Sequence, residues 1–235
     1  MNSGTWGTGD SCTPGLHPDG APVVILGAGG LARELLGICY DLGVEDRVRG
    51  FVDPAAALQG VVLDGKPVLG DDDWLADHVG PPTRFLVGIG DNALRRQITM
   101  RLEDAGMRPA TLVSPYAVVS RFAQVLPGSV ICPGAIVSTN VTVGSCCVVN
   151  PATTLGHDAQ LSAYVHLAPG ARISGWVSLG EGVYIGTGAA VSERVSVGEW
   201  TVVGSMAAVV RDLPANVTAV GVPARAIKAS ASDET

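Results

Sequence analysis

From Val119 to Val209 an aliphatic residue returns at every sixth position, sixteen times without a slip. The series is Val119, Val125, Ile131, Val137, Val143, Val149, Leu155, Leu161, Leu167, Ile173, Leu179, Ile185, Val191, Val197, Val203 and Val209. No helical period survives after Pro115. An ordinary β-sandwich would have to match sixteen times by accident. The residue after each aliphatic is mostly small (Gly144, Gly156, Ser162, Gly180, Gly186), and the residue four after is small or β-branched (Ala123, Ala135, Val141, Thr153, Val165). Each hexad therefore reads as one flat wall, and three walls close a triangular coil with the aliphatic inside and small residues at the corners. Such coils stack at about 4.8 Å, the spacing of neighbouring strands. Sixteen hexads make a little over five coils.

Composition agrees with that core. Hydrophobic residues reach 47% although aromatics are only 5%, and 31 residues are glycine, so the interior must be built from small and β-branched side chains. A net charge of −7 excludes sequence-independent nucleic-acid binding, which needs a basic face. No apolar run is long enough to span a membrane. The five cysteines, Cys12, Cys39, Cys132, Cys146 and Cys147, contain no CxxC pair, which points to a reducing, cytoplasmic setting rather than a disulfide or zinc framework. Residues 1–21 are rich in Gly, Ser, Thr and Pro and lack the parts of a signal peptide. A disordered leader is expected there.

From Pro22 the pattern is different. Val23-Val24-Ile25-Leu26 reads as a buried strand, Gly27-Ala28-Gly29-Gly30 as a turn, and Leu31 to Leu42 as a helix closed by Gly43. Val48 to Val52 and Arg84 to Ile89 are further strands, and a helix is expected from about Ala93 to Ala105. Ala110 to Ser114 reads as a fourth strand. Alternating strands and helices imply a small parallel α/β, Rossmann-like domain over 22–114, with its ligand crevice at the carboxyl ends of the strands. The coils then occupy 115–213, and 214–235 form a tail.

Two histidines, His157 and His166, interrupt coils made of small uncharged residues. Each is either solvated corner polarity or a proton acceptor suited to neutral pH. Cys132, Cys146 and Cys147 occupy positions where small core residues belong, so direct transfer is preferred to a covalent thiol intermediate. Gly27-Ala28-Gly29-Gly30 is not the full dinucleotide fingerprint, since Ala32 stands where a third glycine would. A strand-to-helix glycine turn can still offer amides to a phosphate. Asp53, at the end of the second strand, is a candidate ribose ligand, and Asp91 and Asn92 follow a strand end beside it.

The hexads, the Gly27–Gly30 turn, Val87-Gly88-Ile89-Gly90-Asp91-Asn92, Gly156-His157-Asp158, His166 and Gly221-Val222-Pro223-Ala224-Arg225 occur together over roughly Pro22 to Lys228. This combination resembles the sialic-acid O-acetyltransferase and bacterial amino-sugar N-acetyltransferase family, whose coils form a left-handed parallel β-helix. The resemblance implies a homotrimer with acetyl-coenzyme A along the groove between neighbouring β-helices. It also implies a nucleotide-linked amino sugar in the N-terminal domain, and no metal. By the same resemblance His157 is the general base and Asp158 its acidic neighbour, with His166, Gly175, Thr187 and Ser205 against acetyl-coenzyme A. Gly175 is the candidate oxyanion donor, and Ser205 replaces a family glycine. Gly27, Gly29, Gly30, Asp53, Gly90, Asp91 and Asn92 would hold the sugar nucleotide. Nine residues separate His157 from His166, half a coil, so the two should point away from each other and meet only across subunits.

Other functions compete with this one. A hexapeptide-fold carbonic anhydrase needs a three-histidine zinc site, and the coils hold only two histidines. A catalytically silent β-solenoid scaffold does not account for His157-Asp158. An acyltransferase acting on a non-nucleotide amine stays open, as does O- against N-acetylation. An NAD-dependent reductase lacks a second catalytic domain once the coils are assigned.

Overall fold

The computed structural model describes residues 13–18 and 20–229. The leader expected over 1–21 lies outside the described residues up to Cys12. Within it, however, Gly15–His17 form a strand (β1), and Leu16 is fully buried. The α/β part follows as β2 (Val23–Leu26), α1 (Gly30–Asp41), β3 (Val48–Val52), β4 (Val62–Leu63), β5 (Lys66–Gly70), α2 (Asp72–His78), β6 (Arg84–Val87), α3 (Asn92–Asp104) and β7 (Arg108–Pro109). Its six strands order as β4-β5-β3-β2-β6-β7. All neighbours are parallel except the β4–β5 hairpin. β2 is buried along its whole length, as a central parallel strand covered on both faces must be.

The strand expected over Ala110 to Ser114 exists as β8 (Thr111–Val113), but it belongs to the coils. It pairs in parallel with Val130–Ile131 and antiparallel with β1. Val113 stands six residues before Val119, so the hexad register already includes it. The tail is not separate either: Val217–Val220 pair in parallel with Val202–Val203 and turn back through Arg225–Ala229.

Three parallel sheets make the walls. The first holds β8, 130–131, 148–149, 166–167, 184–185 and 202–203; the second 118–119 through 208–209; the third 124–125 through 196–197. Partners are 18 residues apart throughout, as in Gln124 with Thr142 and His166 with Tyr184. The sixteen hexad aliphatics point inward, and fifteen of them are buried in one continuous core, with Val119 packed partly buried against it. From Gly128 to Met206 each corner places one residue in left-handed backbone. Gly128, Gly134, Gly170, Gly182 and Gly188 supply some, but Asn140, Asp158, Trp176 and Arg194 take φ of 53° to 62° on a single edge, between the second and third walls. The α/β part covers the N-terminal half of the first wall, where Leu112, Val130 and Cys132 join the core of α1 and β2.

Candidate active site

His157 follows the second-wall strand Thr154–Leu155 and stands on the corner before the third wall. Asp158 beside it takes φ +59°. That turn breaks the alternation of a straight strand and brings the neighbours together. Asp158 Oδ2 lies 3.0 Å from His157 Nδ1, while Oδ1 accepts from Asn140 Nδ2 at 3.2 Å. The imidazole meets Trp176 edge to face, with ring centroids 4.4 Å apart. Arg194 stacks on Trp176, its Cζ 4.2 Å from the ring centroid. One coil on from His157 is Gly175, where an added Cβ would come within 2.7 Å of the imidazole. Its amide N–H meets no acceptor among the described residues. With Nδ1 turned to a carboxylate, the Nε2 lone pair is left to take a proton, and the Gly175 backbone lies against the same ring.

His166 projects outward from the first wall, the wall opposite the corner of His157. It is buried beneath the α/β part and stacks on Tyr184 at 5.1 Å. Asn150 Nδ2 donates to Leu167 O at 2.8 Å and to His166 Nε2 at 2.9 Å. A neutral imidazole accepting at Nε2 carries its proton on Nδ1, and that N–H has no partner among the described residues. Burial, and then the charge of Arg95, hold the pKa down at about 4. His166 is therefore held as a neutral imidazole whose Nδ1–H is left to offer.

A cavity of about 570 Å³ opens at the carboxyl ends of β2, β3 and β6. Gly27, Gly29, Gly30, Asp53 and Gly90 line it, with Leu31, Ile89, Leu94 and Arg101. Gly27 has φ +87° and faces Ile89, so a side chain there would be strained and crowded. Gly29 caps α1 without a side-chain bond, which leaves the first-turn amides available to an anion. Asp53 is already engaged: Oδ2 accepts from Ala28 N–H at 2.8 Å and Oδ1 from Ala55 N–H at 2.9 Å. It braces the glycine turn. Arg101 reaches Asp72 through both terminal nitrogens, at 2.7 and 2.8 Å, on the rim.

Asp91 and Asn92 are placed elsewhere. Asp91 caps α3 by accepting from Leu94 N–H at 2.8 Å, and Asn92 is buried, donating to Gly182 O at 2.9 Å. Thr187 and Ser205 are exposed on successive coils at the corner between the first and second walls, their amides bonding no acceptor among the described residues. Cys132, Cys146 and Cys147 are buried, which pushes their thiols to about 12, 11 and 12 and makes them inert as nucleophiles. Sequence reasoning missed Asn150, Arg95 and Trp176. The last was reachable, since it stands one 18-residue coil after Asp158. Among the described residues no group of His, Cys, Asp and Glu is placed to hold a metal ion, and no helix is long and apolar enough to cross a membrane.

The PglD N-terminal domain family matches residues 22–102. No curated protein sequence matches the chain. Among solved structures, PerB from Caulobacter crescentus, in complex with CoA and GDP-perosamine, is 35% identical with a TM-score of 0.82, covering 88% of this chain and 98% of its own. The acetyltransferase domain of PglB from Neisseria gonorrhoeae, in complex with acetyl coenzyme A, is 33% identical with a TM-score of 0.81 over 88% and 98%. WeeI from Acinetobacter baumannii is 26% identical with a TM-score of 0.80 over 88% and 100%. A Rossmann-like domain leading into hexapeptide coils, matched along nearly their full length by such relatives, assigns the chain to the bacterial amino-sugar N-acetyltransferase family of left-handed β-helix enzymes.

Proposed function

We propose that the chain transfers acetyl from acetyl-coenzyme A to the amino group of a nucleotide-linked sugar. The observation that carries this reading is the His157–Asp158 pair packed against Gly175, whose amide bonds no acceptor among the described residues. Asp158 keeps the Nδ1 proton on the imidazole, so Nε2 accepts the proton that the attacking amine loses. The new C–N bond forms at the thioester carbon, and the oxyanion meets the Gly175 N–H. Collapse breaks the C–S bond, and His157 returns the proton to the departing sulfur. In this reading Thr187 and Ser205 present backbone amides to the coenzyme. The α1 amides and the glycine turn take the diphosphate in the cavity. Gly90 connects the two regions, because it lines the cavity and an added Cβ would stand 3.8 Å from His166 Cε1.

A trimer completes the site. His157 stands at one edge of the second wall, and Thr187 and Ser205 at the other. That wall carries Val118 and Ile136 outward, both exposed, whereas the third wall presents Gln124, Thr142, Gln160, Ser178 and Ser196. Three copies with second walls inward bring the His157 corner of one against the His166 side of the next. The test is thiol release from acetyl-coenzyme A with GDP-perosamine or a UDP-linked 4-amino sugar as acceptor, with mass spectrometry of the product to separate N- from O-acetylation. His157→Ala should lower kcat by about 10²–10⁴, the range for a general base. Mixed His157→Ala and His166→Ala trimers should regain partial activity after subunit exchange. Absence of thiol release with any amino-sugar nucleotide would overturn this reading and leave a silent scaffold or an acyltransferase acting on a non-nucleotide amine.

A further inference from the structure

Arg95 is 2% exposed, and among the described residues no carboxylate bonds it. A guanidinium in that position is costly unless its donors are met. Neutral acceptors from both parts of the chain meet them. Nη1 donates to Ile89 O at 3.1 Å and Gly90 O at 3.4 Å, Nη2 to Asn92 Oδ1 and Tyr164 O, both at 2.8 Å, and Nε to Cys146 O at 3.1 Å. Asn92 continues the series by donating to Gly182 O at 2.9 Å. Cys146, Tyr164 and Gly182 are the same left-handed corner position in three successive coils. The first turn of α3 is thus fastened to three rungs along the coil axis. The same helix gives Leu94, Gln97, Ile98 and Arg101 to the cavity, and Ile89 and Gly90, whose carbonyls Arg95 holds, belong to its wall.

An apolar contact would hold two domains together without burying a charge. Directional bonds add register. We propose that Arg95 is a positioning residue for the transfer: clamped on coil carbonyls, it keeps the Ile89–Gly90 wall of the acceptor cavity aligned with His166. This rests on the reading that the cavity takes the acceptor and that His166 faces the thioester. Misplacement by about 1 Å costs on the order of 100-fold in rate.

The experiment uses the full chain, acetyl-coenzyme A, and GDP-perosamine or a UDP-linked 4-amino sugar, with folded sites counted by coenzyme A binding. For Arg95→Met, kcat per folded site should fall about 100-fold, while the KM for acetyl-coenzyme A stays within about 3-fold. Arg95→Lys should recover only part of the loss, because one ammonium cannot span both sets of carbonyls. If Arg95→Met fails to fold, Asn92→Ala removes the third rung together with one side-chain acceptor of Arg95, and its kcat should drop about tenfold with the same KM for acetyl-coenzyme A. Wild-type turnover with kcat per site unchanged in the variants overturns the proposal and leaves the function intact. Absence of wild-type turnover with either sugar overturns the function and the proposal together.

Discussion

At the scale of single residues, the site depends on what stands next to two imidazoles. His157 lies over a glycine, and Gly175→Ala would drive a methyl into its ring. We expect kcat to fall about 10- to 100-fold, as for a displaced general base, with an unchanged KM for acetyl-coenzyme A in steady-state assays. His166 makes a prediction in pH. Its folded pKa is about 4, below the 6.5 of a free histidine. Between these values the unfolded chain binds a proton that the folded chain refuses, so stability falls as pH drops through this window. The loss is on the order of 3 kcal/mol by pH 4. Urea midpoints from pH 7 to 4 should decline more steeply in the wild type than in His166→Gln. Both histidines were legible in the sequence as polar interruptions of coils made mostly of small uncharged residues. Arg95 was not, because nothing in a helix that also carries Arg96 and Arg101 marks which arginine turns inward; that depends on the carbonyls facing it.

At the scale of elements, the hexads were legible because an inward aliphatic and a small corner residue are required in every wall. The ends of the coils were less so. Pro115 looked like a domain boundary, yet the register runs through it to β8, and a strand of three residues carries no period by which to assign its sheet. β1 illustrates the same limit. Its composition reads as disorder, but pairing with β8 covers the first open edge of the coil, and unpaired edges invite association. Arg47 donates to the carbonyls of Leu16, Pro18 and Ala21 and anchors the segment. Leu16 packs into the α/β core. Leu16→Ala should therefore cost about 2–5 kcal/mol in urea unfolding, the range for a buried leucine, whereas a leader free of the fold would show no change.

At the scale of the whole molecule, the walls differ in chemistry. The polar third wall is fit for water; the second carries exposed Val118 and Ile136. Ile136→Glu should dissociate the proposed trimer to monomers in sedimentation velocity and abolish thiol release, while the coil remains folded by circular dichroism. An unchanged trimer would place the contact on another wall. The sequence by itself determined that a three-walled coil follows an α/β domain, because periodicity and small corners are local requirements that every hexad repeats. Only the tertiary structure decided which polar groups meet. Stacking at 18-residue intervals puts Gly175 under one imidazole and Asn150 against another, and the buried carbonyls of three coils select Arg95, through contacts that arise only when distant rungs close on one another.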